Sequence, residues 1–531
     1  MEFSLGTGVY SFAYDNMGRL IATTTQYSYL PGYNFQNSYT YDAASNRKSL
    51  TAPDGSTTSY NYDTLNRLST LTNSLTGQFG FGYDALSRRT QLTRPNGINT
   101  NYGYDSVSHL LSVLHQSGST TVDGAGYTYD YAGNRTSKTN YLNGITSNYG
   151  YDLIYELTQV TQGGSTTESY SYDNVGNRLS SSGVPTYSYN ASNELTAASN
   201  GSYSYDANGN TLSDAQGRSY SWDFENRLTQ AVNPGVGTTN FRYDPFGRRI
   251  QKSGPNGTTN YLYAGFDAHA NVVETVDGSG SLIARYTQGD ATVDEPYAEL
   301  LGSAPSYYEA DGVGSVTSLS SPLGTLTNTY AYDSFGKLTA STGTIVNPFQ
   351  YTGRELDGGT DLYYYRARYY EQAIGRFLSE DPIGFGTGVN FYNYVSGNPL
   401  NAVDPTGLQE ATLIGCTAGP FGCIGGGIID VGQLLIPAAI AGMAYHSSHQ
   451  TCPKRNCLPC IPPVGTRAYR LNIVPPSKPH FPFTGTHWHL YEMHQNPNNC
   501  QCFWHDLDIS GDGSPPPGTS PIMPPAGGGF M

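Results

Sequence analysis

A stretch near the C-terminus, "GTHWHLYEMHQNPNNCQCFWHDLD", concentrates side chains that can do chemistry. These residues are His487, His489, His494, Cys500, Cys502, His505 and Asp506. Histidine, cysteine and aspartate at this density can hold a transition metal for hydrolysis, or place a histidine for acid–base attack on a phosphodiester. The stretch is therefore a candidate catalytic site.

Two strands must position these residues, because the stretch predicts one strand on each side of "QNPNN". If the strands pair as a hairpin centred there, His487 lies near Asp506, and His489, Cys500 and Cys502 share the same face. A register slip of one residue would reverse that face. We take His487, His489 and Asp506 as the candidate catalytic residues of this region.

Metal binding without catalysis, or disulfide formation, is the alternative use of these residues. A second stretch, "CPKRNCLPCIPP", adds Cys457 and Cys460, which lack a matching pair at the distance of a standard zinc module. The candidate metal ligands are Cys457, Cys460, Cys500, Cys502, His494 and His505, with zinc or another divalent metal as the cofactor. A catalytic metal, a structural metal and disulfide bonds that staple a small domain all stay open.

The composition of the chain changes after Leu408. Residues 409–531 hold all 7 Cys and 7 of the 10 His, but only 3 of the 46 Tyr. The part before the boundary is rich in tyrosine and glycine and predicts many short strands joined by turns. The net charge of −15 and the absence of a long basic run argue against a surface that coats nucleic acid, although a small catalytic module could still act on it.

A short unit that begins with Tyr-Asp repeats along residues 1–408, as in "YDNMGRL" from Tyr14 and "YDNVGNRL" from Tyr172. Successive units begin mostly 16 to 25 residues apart, which leaves room for two strands and their turns, so each unit predicts a β-hairpin. The fourth residue after the aromatic one is mostly of a type that tolerates a left-handed backbone, and the Asp side chain can close the turn. These residues are Gly18, Ser45, Asn66, Ser87, Ser108, Gly133, Gly176, Asn193, Gly209, Asn226 and Gly247. We interpret the unit as structural; sugar binding by rows of tyrosine is the alternative.

These units resemble the YD repeats of the RHS family, which includes bacterial polymorphic toxins and the shell-forming component of insecticidal toxin complexes. The resemblance covers residues 10–408, and "YTGRELDGGTDLYYYRARYYEQAIGRFLSEDPIGF" from Tyr351 resembles the RHS-associated core. It implies an all-β fold in which a strip of β-hairpins spirals into a hollow shell around a C-terminal toxin. The tail would be a separate small Cys/His-rich domain of α+β or β type.

The run "NPLNAVDPTGL" at residues 398–408 matches the end of the family's core without departure. The matching residues are Pro399, Asp404, Pro405, Gly407 and Leu408. The resemblance implies that the chain is cut between Leu408 and Gln409, with Asp404 and Asp381 as the two catalytic aspartates.

This implied chemistry is physically consistent. Hydrolysis of a peptide without a nucleophilic side chain needs a base to activate water and an acid to protonate the departing amine, and two carboxyl groups that share one proton supply both. Arg368 and Arg376 could orient a carboxylate or polarise the carbonyl. The alternative is that both Asp-Pro pairs only start turns.

These observations predict five segments. Residues 1–300 form the YD repeats, 301–408 the core with its cleavage motif, 409–450 an apolar glycine-rich segment, 451–510 the Cys/His-rich domain and 511–531 a disordered Pro/Gly-rich end. The run from 411 to 444 is interrupted by glycines, Asp430 and Pro437. It therefore favours a segment packed inside the shell over a membrane-spanning pore, which stays the alternative.

The sequence as a whole predicts an RHS-type polymorphic toxin, or the C-terminal portion of one, that acts in competition between bacteria. Its tail would be a metal-dependent nuclease; the alternatives are a membrane-active tail and a non-enzymatic cell-surface protein that binds glycans. The partners would be its own tail as cargo, a cognate immunity protein, a component of a secretion machine, and target-cell nucleic acid or membrane. The protein would be secreted or held at the cell surface and delivered to a target cell, although no signal peptide is visible at the start of the sequence.

Overall fold

The computed structural model describes residues 2–198, 201–265, 270–289, 295–386, 388–408, 411–412, 467–474, 485–495, 502–512 and 520–521. For residues 2–5 and for those after 408 it describes the backbone only. The chain divides into two compact units, Met1–Ile429 and Asp430–Met531. Strands make up nearly all of the regular structure, so the predicted all-β fold is confirmed.

The first sheet has 17 strands, and each pairs antiparallel with the next one along the chain. The strands are β1 (Glu2–Leu5), β2 (Gly8–Tyr14), β3 (Leu20–Tyr27), β4 (Phe35–Tyr41), β5 (Arg47–Thr51), β6 (Thr57–Tyr62), β7 (Leu68–Asn73), β8 (Gly77–Tyr83), β9 (Arg89–Thr93), β10 (Ile98–Tyr104), β11 (Leu110–Ser117), β12 (Thr120–Tyr129), β13 (Arg135–Asn140), β14 (Thr146–Tyr151), β15 (Leu157–Gln162), β16 (Ser165–Tyr172) and β17 (Arg178–Ser181).

A three-stranded sheet then leads to a second large sheet of 14 strands, again in chain order. The small sheet contains β18 (Tyr187–Tyr189), β19 (Leu195–Ala198) and β20 (Gly201–Ser202). The large one contains β21 (Ser204–Tyr205), β22 (Thr211–Ser213), β23 (Ser219–Trp222), β24 (Leu228–Asn233), β25 (Gly237–Tyr243), β26 (Arg249–Gly254), β27 (Gly257–Tyr263), β28 (Val272–Asp277), β29 (Leu282–Gln288), β30 (Pro296–Leu301), β31 (Ala304–Ala310), β32 (Val316–Ser320), β33 (Leu326–Tyr332) and β34 (Leu338–Thr342).

The core region follows as shorter elements. A four-stranded sheet contains β35 (Glu355–Asp357), β36 (Leu362–Tyr365), β37 (Arg368–Glu371) and β38 (Arg376–Phe377), and a two-stranded one contains β39 (Ala402–Val403) and β40 (Ala411–Thr412). Single 3₁₀ turns lie at Tyr351–Gly353, Gly384–Gly386 and Val395–Gly397.

Each YD turn is closed by its own aspartate. In the first turn, Oδ1 of Asp15 accepts the backbone N–H groups of Met17 and Arg19, both at 2.9 Å, and Oδ2 accepts Nε of Arg19 at 2.6 Å. Gly18 has a φ of 76°, and every position named above for a left-handed backbone has a positive φ. The predicted turn is therefore confirmed, and it forms locally because the closing group is four residues or fewer from the groups it binds.

Consecutive repeats are joined by the tyrosine and arginine of the same motif. The hydroxyl of Tyr83 donates to the carbonyl of Leu68 at 2.9 Å, and the guanidinium of Arg67 lies 4.6 Å from the centre of the Tyr83 ring. Arg67 also donates to the carbonyl of Asp84 in the next turn at 3.3 Å. Each repeat therefore stabilises its neighbour, which explains why Tyr, Asp and Arg recur together.

The two large sheets of the first unit pack on each other through aromatic rings. The ring centre of Phe79 lies 5.6 Å from that of Tyr297 and 6.0 Å from that of Tyr307. A buried ion pair between Arg89 and Glu295 joins the same layers. Burial of these rings stabilises the packing of the two sheets.

Buried arginines attach the core region to the second sheet. Arg249 pairs with Glu355 at 2.6 Å and with Asp357, and Arg218 pairs with Glu371. Strands β35 and β37, which supply these carboxylates, are thereby fixed against the repeats. This attachment holds in place the short sheet that carries the candidate site.

The described strands of the second unit form a sheet in the order β43-β42-β41-β44. They are β41 (Arg467–Val474), β42 (Gly485–Gln495), β43 (Cys502–Asp512) and β44 (Ser520–Pro521). The predicted strands on either side of "QNPNN" are present, and they pair as an antiparallel hairpin. Among the described residues, no helix is long and apolar enough to cross a membrane.

The predicted register of this hairpin is wrong. Tyr491 is paired with Asp506, and His487 is paired with Asp512 rather than lying opposite Asp506. The last residue pair of the hairpin is Gln495 with Cys502, so its centre lies closer to the C-terminus than the predicted centre at "QNPNN". A β-bulge beside Leu490 shifts the register further.

Candidate cleavage site

One guanidinium group joins the two predicted catalytic aspartates. Nη2 of Arg368 lies 3.0 Å from Oδ2 of Asp381 and 3.2 Å from Oδ2 of Asp404. All three residues are buried, with 3% of Arg368, 6% of Asp381 and 3% of Asp404 exposed. The structure therefore brings together residues that are distant in the sequence, and it places a cation between the two carboxylates.

Arg368 is held by the hairpin of β36 and β37. Its Nη1 donates to the carbonyl of Phe391 at 3.0 Å, and its guanidinium carbon lies 3.7 Å from the centre of the Phe377 ring. Burial lowers the pKa of the Arg368 guanidinium, and the carboxylates of Asp404 and Asp381 oppose that shift. The contacts fix the guanidinium plane, so the hydrogen bond to Asp404 and the ion pair with Asp381 each have a set direction.

Asp404 organises the turn that leads to the predicted scissile bond. Its Oδ1 accepts the backbone N–H groups of Thr406 at 3.3 Å, Gly407 at 2.8 Å and Leu408 at 3.1 Å. An oxygen that accepts three N–H groups suits a carboxylate, which has no hydrogen to donate. The motif thus folds back on its own aspartate, with Leu408 buried at its end.

Asp381 opens a turn of its own and contacts the same Nη2 atom of Arg368 as Asp404 does. Its Oδ1 accepts the backbone N–H of Ile383 at 2.9 Å, and its own N–H donates to the carbonyl of Phe391 at 3.0 Å. The same Phe391 carbonyl also accepts from Arg368. The backbone on both sides of the carboxylate is therefore fixed.

The carbonyl groups that precede the bond are each bonded to the core sheet. The carbonyl of Pro405 accepts from Nη1 of Arg354 at 2.5 Å, that of Thr406 from the N–H of Ala367 at 3.1 Å, and that of Gly407 from Nε of Arg368. The next carbonyl along the chain belongs to Leu408. Three consecutive carbonyl groups before the predicted scissile bond are therefore held by hydrogen bonds.

The backbone returns to the site beyond residue 410. Strand β40 pairs antiparallel with β39, so that Ala402 is opposite Thr412 and Val403 is opposite Ala411. Asp404 directly follows β39. The residues on both sides of the predicted scissile bond thus meet at one short strand pair, while Gln409 itself lies outside the described residues.

Arg376 does not take part in this cluster, contrary to the sequence-based expectation. Its Nη1 donates to Oδ1 of Asn177 at 3.0 Å and its Nη2 to the carbonyl of Asn193 at 2.5 Å. It therefore attaches β38 to the repeats, on a neighbouring strand to the one that begins with Arg368. Pro399 lies in the turn before β39, where the carbonyl of Asn398 accepts the N–H groups of Asn401 and Ala402 at 3.2 Å.

The candidate residues of the tail follow Leu408, where side chains are not described. Cys457, Cys460 and Cys500 lie outside the described residues. Only the backbone is described at the remaining candidates, which are His487, His489 and His494 in β42 and Cys502, His505 and Asp506 in β43. Among the residues whose side chains are described, no group of three or more His, Cys, Asp and Glu could hold a metal.

Sequence reasoning missed three contributors to the cleavage cluster. Arg354 and Phe377 are ordinary members of the aromatic core region, and their spacing from Asp404 gives no signal. The pairing of β39 with β40 was also missed, because two residues are too short a run to show a strand period. The "TG" before Leu408 did carry a signal, since glycine after an Asx turn marks a left-handed position.

Comparison with known proteins identifies the repeats. A family model for the teneurin YD-shell matches residues 140–399, and a model for the RHS repeat matches residues 41–78 and 62–100. The fold is similar to the crystal structure of TcdB2-TccC3-Cdc42, with a TM-score of 0.65 and 20% identity, over 76% of this chain and 24% of that chain.

Two curated relatives extend this result. The chain is 31% identical over 305 residues to the tRNA nuclease WapA of Bacillus subtilis (strain 168), covering 56% of this chain and 11% of WapA. It is 29% identical over 210 residues to the double-stranded DNA deaminase toxin A of Burkholderia cenocepacia (strain H111), covering 34% of this chain and 14% of that toxin. The matches thus span a small part of the length of either relative. The repeats, their fold and these matches show that this chain belongs to the RHS family of YD-repeat proteins.

Proposed function

We propose that this chain is an RHS-type polymorphic toxin, or a portion of one, that cuts itself between Leu408 and Gln409 by aspartic autoproteolysis. The observation that carries the proposal is the buried cluster in which Arg368 binds both Asp381 and Asp404. This cluster lies on the turn that ends at Leu408. Two carboxylates that only start turns do not need to share a buried guanidinium.

The two carboxyl groups divide the acid and base roles. One takes a proton from water as the water adds to the Leu408 carbonyl carbon, and the other supplies a proton to the nitrogen of Gln409 as the C–N bond breaks. Arg368 offsets the repulsion between the carboxylates and brings positive charge beside the carbonyl that precedes Leu408. Burial strengthens each of these electrostatic interactions.

The repeats would form a shell that encloses residues 409–531 as cargo, and cleavage would free that cargo from its container. We propose a metal-dependent nuclease as the activity of the cargo, with His487, His489 and Asp506 as its catalytic candidates. The support for this activity is that the relatives WapA and the deaminase toxin are named as enzymes that act on nucleic acid. A secreted or surface-held toxin for competition between bacteria would also require a secretion machine and a cognate immunity protein as partners.

The intact mass of the purified protein under denaturing conditions tests the cleavage. The wild type should give two chains that meet at Leu408 and Gln409, and Asp381→Asn and Asp404→Asn should each give one chain of 531 residues. Asp42→Asn is a matched control, because Asp42 closes a YD turn of the first sheet in the same way and Asn190 closes an equivalent turn. An uncut wild type, or cleavage that persists in both aspartate variants, would contradict the mechanism.

Induction of residues 409–531 in a bacterial cytoplasm tests the cargo. Growth arrest with degraded nucleic acid that is lost in His487→Ala and His489→Ala would support a nuclease. Arrest that persists in both variants would contradict the assignment of these histidines.

A further inference from the structure

Strand pair β39–β40 connects the two sides of the bond that is proposed to be cut. Strand β39 leads directly into Asp404, and β40 begins at Ala411, three residues after Leu408. We propose that β40 is a leaving-side clamp, a backbone pairing that positions the amine half of the Leu408–Gln409 bond for hydrolysis. This inference rests on the proposed self-cleavage and adds the element that controls its rate.

The backbone that leads up to the bond is already fixed without β40. The carbonyl groups of Pro405, Thr406 and Gly407 are all hydrogen-bonded, and Oδ1 of Asp404 holds the N–H of Leu408. None of these contacts involves a residue beyond the bond. Rotation about the Cα–C bond of Leu408 would turn the planar Leu408–Gln409 peptide, and with it the nitrogen, away from the proton donor, so productive geometry requires a second attachment beyond the bond.

Strand β40 supplies that attachment from the catalytic side. Strand β39 ends at Val403, the residue before Asp404. The strand that pairs with β40 is therefore the one that positions Asp404. Because Ala411 lies opposite Val403, this pairing sets the distance between Asp404 and the backbone that follows the bond. Val403 and Ala402 are themselves buried, which makes β39 a rigid partner.

The clamp also fits what happens after cleavage. Water adds to the Leu408 carbonyl carbon, the C–N bond breaks, Leu408 keeps the new carboxylate and the nitrogen of Gln409 takes a proton. Among the described residues, the backbone pairing that then holds the tail at the site consists of two residue pairs. A pairing this short is weak without the covalent connection, so the cut tail can separate while the core sheet stays assembled.

Proline substitution tests the clamp with an internal control. Proline removes a backbone N–H, and in an antiparallel pair the directly opposed residues alternate between hydrogen-bonded and non-bonded pairs. Of Ala411 and Thr412, one donates its N–H to β39 and the other does not. Proline at the donating residue should therefore slow cleavage by at least about tenfold, and by more than proline at the other residue. Ala411→Val and Thr412→Val keep the N–H and favour a strand, so they should cleave at the wild-type rate.

A pair of insertions provides a second test that leaves both strands unchanged. Four Gly/Ser residues between Glu410 and Ala411 lengthen the link between the clamp and the bond, and they should slow cleavage by a similar factor. The same four residues after Thr412 should have no effect. Cleavage is followed as the cut fraction of the newly made chain during pulse–chase cell-free synthesis, with trypsin resistance of residues 1–408 as the check on folding.

The outcomes separate the clamp from the proposed function. An uncut wild type would contradict self-cleavage itself. A wild type that is cut, together with prolines and a first insertion that all cleave within about twofold of it, would overturn the clamp and leave self-cleavage intact.

Discussion

The α-carbon of Gly407 faces the carbonyl oxygen of Tyr365 so closely that a Cβ at this position would overlap with it. Gly407 also has a φ of 71°, which disfavours any residue with a side chain. Tyr365 ends β36, and the strand after its turn begins with Arg368. The turn before the predicted scissile bond is thus packed directly against the hairpin that supplies the guanidinium.

Gly407→Ala should therefore slow cleavage by about a hundredfold, because it must push the Leu408 turn away from Arg368. Gly55→Ala is the matched control: Gly55 has a φ of 87° but open space around its α-carbon. It should cost about 1 kcal/mol of stability and leave the cleavage rate unchanged. Normal cleavage in Gly407→Ala, measured by intact mass after timed synthesis, would show that this packing is not needed.

Arg368→Lys should abolish most of the cleavage although it keeps the charge. A lysine presents a single ammonium group and cannot bind both carboxylates, Gly407 and Phe391 with the fixed geometry of a guanidinium. We expect a loss of at least about a hundredfold. Arg376→Lys is the control and should cut at the wild-type rate; a loss in both variants would point to damage of the whole core sheet.

Glu309 predicts a pH dependence of stability. Its side chain is buried, Ser320 donates to its Oε1 at 2.7 Å, and burial raises its pKa from 4.5 to about 8, with Arg94 opposing the shift. A group whose pKa is higher in the folded protein binds more protons there. Its stabilisation is therefore complete below pH 4.5 and is lost as the pH rises through about 8.

Glu309→Gln removes this titration and keeps an acceptor for Ser320. Between pH 5 and pH 8 the free energy of unfolding of the variant should rise relative to that of the wild type, by at most about 1.4 kcal/mol per pH unit, and its melting temperature should rise with it. Thermal unfolding of both proteins at several pH values measures the difference. A difference that does not change with pH would mean that Glu309 does not titrate in this range.

The hydroxyl of Tyr83 tests the link between repeats. Tyr83→Phe leaves the carbonyl of Leu68 without this donor and should cost about 1 kcal/mol in the free energy of unfolding. Tyr131→Phe, at a fully exposed tyrosine, should cost nothing measurable. Equal effects in denaturant titration would exclude a specific contribution of the hydroxyl.

Local spacing alone predicts the repeats well. The turn at Gly18 or Asn66 forms from an aspartate and the backbone groups within four residues of it, so the motif contains all that the turn needs. The same holds for the Asp404 turn, where the carboxylate binds residues two to four positions away. Short-range closure of this kind can be read from the sequence because it does not depend on the rest of the fold.

Contacts between residues far apart in the sequence determined the partners of the two arginines and the register of the tail hairpin. Arg368 and Arg376 begin adjacent strands of one sheet, and only the packing of that sheet sends the first to the two carboxylates and the second to the repeats. In the tail hairpin, a bulge beside Leu490 and the position of the last residue pair set a register that alternation of residues could not predict. Partners in such contacts are far apart in the sequence, and a shift of one residue in a strand changes which side chains meet.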